Sequence, residues 1–222
     1  MHERIVRFVP LAGVVYAVLS VLGNGSIGDF PDGDTPIAKL APYYAEHHAS
    51  IARGGLLLAW SAIFLAFFAV ALWTRVRTSA SNPLLAGAVL LGAAVAVADE
   101  LGGAGTYSTL GFLGSKATIA PAALQAWHVQ GSGGGALTGE GGLAIMLLAV
   151  AAAGIAGRAI PRPLAWAALP LGILQLTPIG FFAGLVFLLW ALVTGVVLAV
   201  RPGAGAAASV REPQASPAFG RG

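Results

Sequence analysis

Two carboxylates, Asp99 and Glu100, stand side by side at the end of one of the most apolar runs in the chain, VAVADELGGAG from Val95 to Gly105. A third, Glu140, lies in TGEGG at the start of a later apolar run. Neighbouring carboxylates in a low-dielectric setting cannot both ionise cheaply, so such a group shares a proton or binds a cation. Adjacent helical positions point about 100° apart, so Asp99 and Glu100 do not face one site squarely. Glu100 is the stronger candidate of the pair, because Gly92 and Ala96 share its face at four-residue spacing and describe a packed helix surface. The alternative is that the apolar segment ends near Glu100, leaving both acids among lipid headgroups.

The histidines form a second, weaker group. His47 and His48 are adjacent, whereas helical metal ligands stand at i and i+4. A metal would therefore need one of them together with His128 or an acid from another segment, and ordinary interfacial or hydrogen-bonding roles compete with that reading. Asp29, Asp32 and Asp34 in DFPDGD lack the order of a calcium loop and read as a solvated turn. Gln175 is expected to hydrogen-bond a neighbouring helix. The chain has no cysteine, which excludes disulfides, thiolate metal sites and cysteine nucleophiles. It carries no P-loop, dinucleotide fingerprint, zincin motif or nucleophile motif, so no cofactor is expected and nothing points to catalysis.

What must position these residues follows from composition. The chain is 57% hydrophobic and 9% charged, against about 25% charged in soluble domains. Its mean hydropathy is +0.83. A membrane span needs roughly 20 apolar residues for about 30 Å of hydrocarbon. Six segments qualify: Val6 to Ser26, Gly54 to Trp73, Pro83 to the acidic pair, Gly141 to Gly157 with an extension back through GALTGE, Ile160 to Thr177, and Phe181 to Val200. Drawn this way, Arg4, Arg7, Arg75, Arg77, Arg158, Arg162 and Arg201 fall on one side and only Lys39, Arg53 and Lys116 on the other. The positive-inside rule then places both termini in the cytoplasm. Trp73 and Trp166 stand beside cytoplasmic arginines, as interfacial aromatics do. The positive charge is scattered singly, which excludes a nucleic-acid surface.

Counted at 1.5 Å per residue, Asp99 lies about 24 Å from Pro83 and Glu140 about 27 Å from Arg158, so the three acids approach the external interface at similar depth. Two external segments are long enough to fold. Asp34-Thr35-Pro36 and Ala41-Pro42 both fit helix starts, and a helix is expected from Pro42 that carries Tyr43, Tyr44, Glu46, His47 and His48 into the second span. A short helix is expected over Pro121 to Gln130, with Leu124, Trp127 and His128 on one face lying on the membrane surface. GSGGG then hinges into the fourth span. Pro170 is expected to kink the fifth span, and TPIG to turn tightly into the sixth. Residues 201–222, rich in Gly, Ala and Pro, read as a disordered cytoplasmic tail on a 1–200 transmembrane domain. The N-terminal pattern of arginines, apolar run and GNGS also fits a signal peptide, whose removal would leave five spans. LAWSAI in the second span is echoed by LAWAAL in the fifth, which allows an inverted repeat, although an Ala/Leu-rich chain produces such likeness by chance.

PLAGVVYAVLSVLG, GDTPIAKLAPYYAEHHASIARGG, IPRPLAWAALPLGIL and PIGFFAGLVFLLWALVTGVVL together resemble a broad group of small multi-pass membrane proteins common in high-GC Gram-positive bacteria. The likeness runs to about Val200. It implies an architecture and a bacterial cytoplasmic membrane, but no activity, and the acidic pair is not one of its features. The expectation is an all-α, polytopic six-helix bundle with both termini inside and short external helices in the first and third connections. Three functions stay open: transport or sensing of a proton, cation or small solute through Glu100, Asp99 and Glu140; an accessory subunit docking through Gly/Ala-rich faces onto a membrane partner or its own copy; and an enzyme acting on a lipid or isoprenoid-like substrate.

Overall fold

A computed structural model describes residues 8–79, 82–113, 116, 119–134, 136–157, 159–177 and 179–201. Among these the chain is helical, with no strand. A 3-10 turn, Val9–Leu11, leads into α1 (Ala12–Ile27); then come α2 (Ile37–Ser79), α3 (Pro83–Leu113), α4 (Pro121–Val129), a π-turn over Gln130–Gly134, α5 (Ala136–Gly157), α6 (Arg162–Leu174) and α7 (Gly180–Val200). Arg4, Arg7, Arg158 and the tail from 202 onward lie outside the described residues, and with them part of the charge asymmetry and the expected disorder.

Local chemistry sets the ends. The Asn82 side chain accepts the Leu84 backbone N–H at 3.0 Å while Pro83 occupies the first helical position of α3, a cap and a preset φ together. Gly28 closes α1 with φ of +68°, a conformation that costs a Cβ-bearing residue strain. α2 begins at Ile37, five residues before the expected Pro42 start, because Pro36 opens the helix and its carbonyl accepts from Lys39. Pro42 is absorbed near the N-terminus, where the carbonyl it leaves unpaired belongs to exposed Ala38. α3 likewise continues past Glu100 to Leu113, so the acidic pair sits inside a helix rather than at its end. The expected GSGGG hinge is instead a wound turn continuous with α4, as far as Gly134.

Packing makes a closed ring: α1, α2, α3, α5, α6 and α7 each touch the next, and α7 returns to α1. Phe68, Met146, Phe187 and Trp190 fill its core. Along α2 the buried positions Ile51, Leu58, Leu65 and Leu72 recur every seven residues, with Gly55, Ala62, Ala69 and Val76 between them, a coiled-coil-like seam. Glycines bring backbones together. A Cβ on Gly142 would stand 2.7 Å from the Gly92 carbonyl oxygen and 2.6 Å from the Ala96 nitrogen, and one on Gly111 2.6 Å from the Ala52 nitrogen.

Five helices are long and apolar enough to cross a membrane, namely α1 with its leading turn and α2, α3, α5 and α7. The fifth expected span is shorter: α6 has 13 residues, about 20 Å of helix. It nonetheless returns the chain from the level of Gly154, packed against Ala165, to the level of Glu140, packed against Gly180. Pro170 lies within α6, and the Gly180 N–H donates to the Thr177 carbonyl at 2.9 Å to close the turn into α7. One end of the ring thus carries Arg75, Arg77, Arg162 and Arg201; the other carries all the described acids.

Candidate functional site

Glu100 reaches across from α3 to α2, where the Ser61 hydroxyl donates to its Oε1. Ser61 is fully buried, and its Oγ also lies 2.8 Å from the Leu58 carbonyl oxygen. One hydroxyl hydrogen cannot serve both acceptors at once, so the arrangement has two self-consistent forms. With Glu100 ionised, Ser61 donates to the carboxylate. With Glu100 protonated, the acid donates to Oγ and the Ser61 hydrogen turns to Leu58. A serine that is donor in one form and acceptor in the other accommodates a proton on Glu100 without moving a helix.

α1 supplies the next polar groups. Gly13 packs on Phe68 and Gly23 on Leu58, an antiparallel register that sets Ser20 level with Ser61. Ser20 is buried, at 4% exposure, and its Oγ makes no well-aligned hydrogen bond among the described residues, its polar neighbour being the Tyr16 hydroxyl. Buried Tyr16, one turn along α1, lies within electrostatic range of Glu100. Gln175 is 1% exposed, and both its amide nitrogen and its oxygen lack a partner among the described residues. The expected bond to a neighbouring helix is therefore not made among the described residues: Gln175 caps the C-terminus of α6, where the chain leaves the helix. The fully buried Thr194 hydroxyl of α7 is in the same position, and an unpaired buried amide or hydroxyl costs about 1–3 kcal/mol.

The other two acids are placed differently. Asp99 packs its carboxylate on Gly139 in the first turns of α5, and Glu140 packs on Gly180 at the start of α7. Both sit near the positive end of a helix, where a carboxylate is favoured. Gly92 and Ala96 pack on Gly142 of α5, so the small-residue stripe continues into Asp99 and not, as expected, into Glu100. The three acids are close enough for Asp99 to act electrostatically on both glutamates, yet each side chain has its own neighbour. Glu100 alone lies mid-helix with no helix terminus facing it.

The histidines go three ways. His47 Nδ1 donates to the Tyr43 carbonyl at 3.0 Å while its ring stacks on Tyr43, and His48 Nδ1 donates to the Ala45 carbonyl at 3.0 Å. His128 is fully buried. Its Nε2 lies 2.8 Å from the Asp32 carbonyl, which can only accept, so Nε2 carries the hydrogen and Nδ1 accepts from the Tyr44 hydroxyl at 2.9 Å. Leu124 and His128 thus turn inward, onto a cluster of Phe30, Leu40, Tyr44 and Leu110, instead of lying on a membrane surface; of the expected face only Trp127 stays exposed. Among the described residues no group of three or more histidines and acids gathers as a metal site would.

Ser20, Ser61 and Tyr16 are the residues that sequence reasoning passed over. Hydroxyls are routine in apolar helices, where they bond their own preceding turn. The signal that could have found Ser61 is its place in the row Gly54, Ser61, Phe68, at seven-residue spacing on the α1-facing side. The chain matches no family model, no curated protein and no solved structure.

Proposed function

We propose that this is a small integral membrane protein in which Glu100, seated on Ser61, holds a proton or small cation for transport or sensing. The observation that carries the reading is a mid-helix carboxyl bonded to a buried hydroxyl that suits both of its protonation states. Buried Ser20 at the same level, beside the Tyr16 hydroxyl, and buried Gln175 elsewhere in the ring add polar groups to it. Ionisable groups inside membrane helices are costly and mark ion or proton pathways. In this reading α6, extended by its flanking turns, completes six spans. The arginine end faces the cytoplasm of a bacterium and the acidic end faces outside, in keeping with the likeness to multi-pass proteins of high-GC Gram-positive bacteria. Asp99 and Glu140 tune the potential at the outer mouth, and no metal is required of His47, His48 or His128.

The test is proton or sodium flux into vesicles carrying the purified full chain, followed with an entrapped indicator dye under an imposed potential, together with the pH response of tryptophan fluorescence. Glu100→Gln should abolish the flux or the pH response, Ser61→Ala should reduce it several-fold, and Asp99→Asn should retain most of it. A Glu100→Gln protein indistinguishable from wild type in both readouts would sink the proposal. A second reading has its own support: Gly102, Gly103 and Gly105 of α3 meet no atom within 4 Å where a side chain would project. That surface suits close approach of a second copy or a partner helix, and Gly102→Leu would then weaken self-association while leaving flux intact.

A further inference from the structure

At the arginine end, a cavity of about 290 Å³ is lined by Arg75, Ala159, Ile160, Pro161, Arg162, Leu198 and Arg201. Its three cations come from three separate elements: the last turns of α2, the first residue of α6 and the residue after α7. Arg75 donates through Nη2 to the Leu198 and Arg201 carbonyls, each at 3.1 Å, which ties down the C-terminus of α7 and leaves its Nε and Nη1 donors uncommitted among the described residues. No carboxylate among the described residues pairs with any of the three, since every described acid lies at the other end of the ring. Helix ends do not supply the missing charge either. The C-termini of α5 and α7 bring about half a negative charge each and the N-terminus of α6 about half a positive one, against three full guanidinium charges.

From this we infer that the cavity binds the phosphate of an anionic phospholipid, an inference that rests on the membrane reading but not on the role of Glu100. Guanidinium groups from several elements present forked donors to phosphate oxygens, and basic pockets between spanning helices are where anionic headgroups sit. The flanks decide for a lipid over a free anion. Below the cations the wall is buried and apolar, with Ile160 and Leu198. Beside them Trp166, one turn along α6 from Arg162, and Val200, next to Arg201, expose large apolar surface where acyl chains would lie.

Native mass spectrometry of the full chain, purified in detergent and titrated with phosphatidylglycerol or with zwitterionic phosphatidylcholine of the same chains, tests the inference. Phosphatidylglycerol should be retained at least tenfold more tightly. The Arg162→Gln/Arg201→Gln protein should lose that preference with its lipid-free melting temperature unchanged, since neither side chain bonds the rest of the described protein. Single Arg162→Gln, an exposed position, should give a partial loss and serves if the double variant does not fold. Equal retention of the two lipids, or undiminished preference in both variants, overturns the site. So does competition by millimolar inorganic phosphate, which would identify a soluble anion as the ligand. A chain that stays soluble without detergent would refute the membrane reading as well, whereas indifference to lipid charge in detergent refutes the pocket alone.

Discussion

His128 earns its burial through two hydrogen bonds, one to the backbone of the first connection at Asp32 and one to α2 at Tyr44, while its ring stacks against Phe30 at 5.4 Å. His128→Ala leaves the buried Tyr44 phenol unpaired, removes one of the two bonds to the Asp32 carbonyl, which keeps the Thr35 N–H, and empties the space beside Phe30; it should lower stability by about 2–4 kcal/mol. Tyr44→Phe removes one bond and should cost about 1 kcal/mol. Unfolding of the detergent-solubilised protein, by heat or denaturant, compares the two; equal losses would contradict the junction. At this scale the sequence reveals which residues share a face but not what covers it. The Leu124, Trp127 and His128 face was legible from spacing, yet an apolar face fits a lipid surface as well as a neighbouring helix, and only the fold brings Tyr44 within reach. Glu100 was legible as an anomaly in an apolar run. Its partner was not, because Ser61 lies 39 positions away in sequence and looks like any hydroxyl in a spanning helix.

Among elements, the α3–α5 contact, like that of α2 with α3 at Gly111, brings backbones to a separation that only glycine allows. A methyl group at Gly142 would meet backbone atoms of both Gly92 and Ala96, which cannot rotate aside as a side chain would. Gly142→Ala should therefore destabilise by about 1–3 kcal/mol. Gly87→Ala, on the open face of α3 with no atom within 4 Å, should be neutral or gain up to about 1 kcal/mol from helix propensity. Their melting temperatures should move in opposite directions or differ by several degrees, and the Gly142 substitution should also loosen Asp99 from Gly139. Helix existence was plain from apolar run length, and the Pro121 start of α4 from its proline. Helix ends were less plain. α2 and α3 both run beyond their apolar stretches because the aromatic cluster packs their polar-flanked extensions together, a tertiary effect with no local signature.

For the whole molecule, the gathering of Arg75, Arg77, Arg162 and Arg201 at the end away from the described acids sets the expected orientation, and the absence of cysteine makes it testable without a background. Thr78→Cys, exposed at the arginine end, should react with a membrane-impermeant maleimide only after cells are opened, and His48→Cys, exposed at the acidic end, should react in intact cells. The reverse pattern would invert the protein and move Glu100 to the cytoplasmic side. The ring was legible in its number of apolar segments but not in its closure. Nor was the shortness of α6 evident, because residues that flank a helix can be as apolar as those within it. α2 gives the ring a further property. Its 43 residues run without interruption, about 65 Å of rod, from Tyr44 under the aromatic cluster, past Ser61, to Arg75 at the opposite rim. A stiff shaft gripped at three heights has few ways to move. A tilt that reseats Tyr44 must also shift the Ser61 hydroxyl and swing Arg75, so the aromatic cluster, the Glu100 carboxyl and the basic rim are joined in series by a single lever.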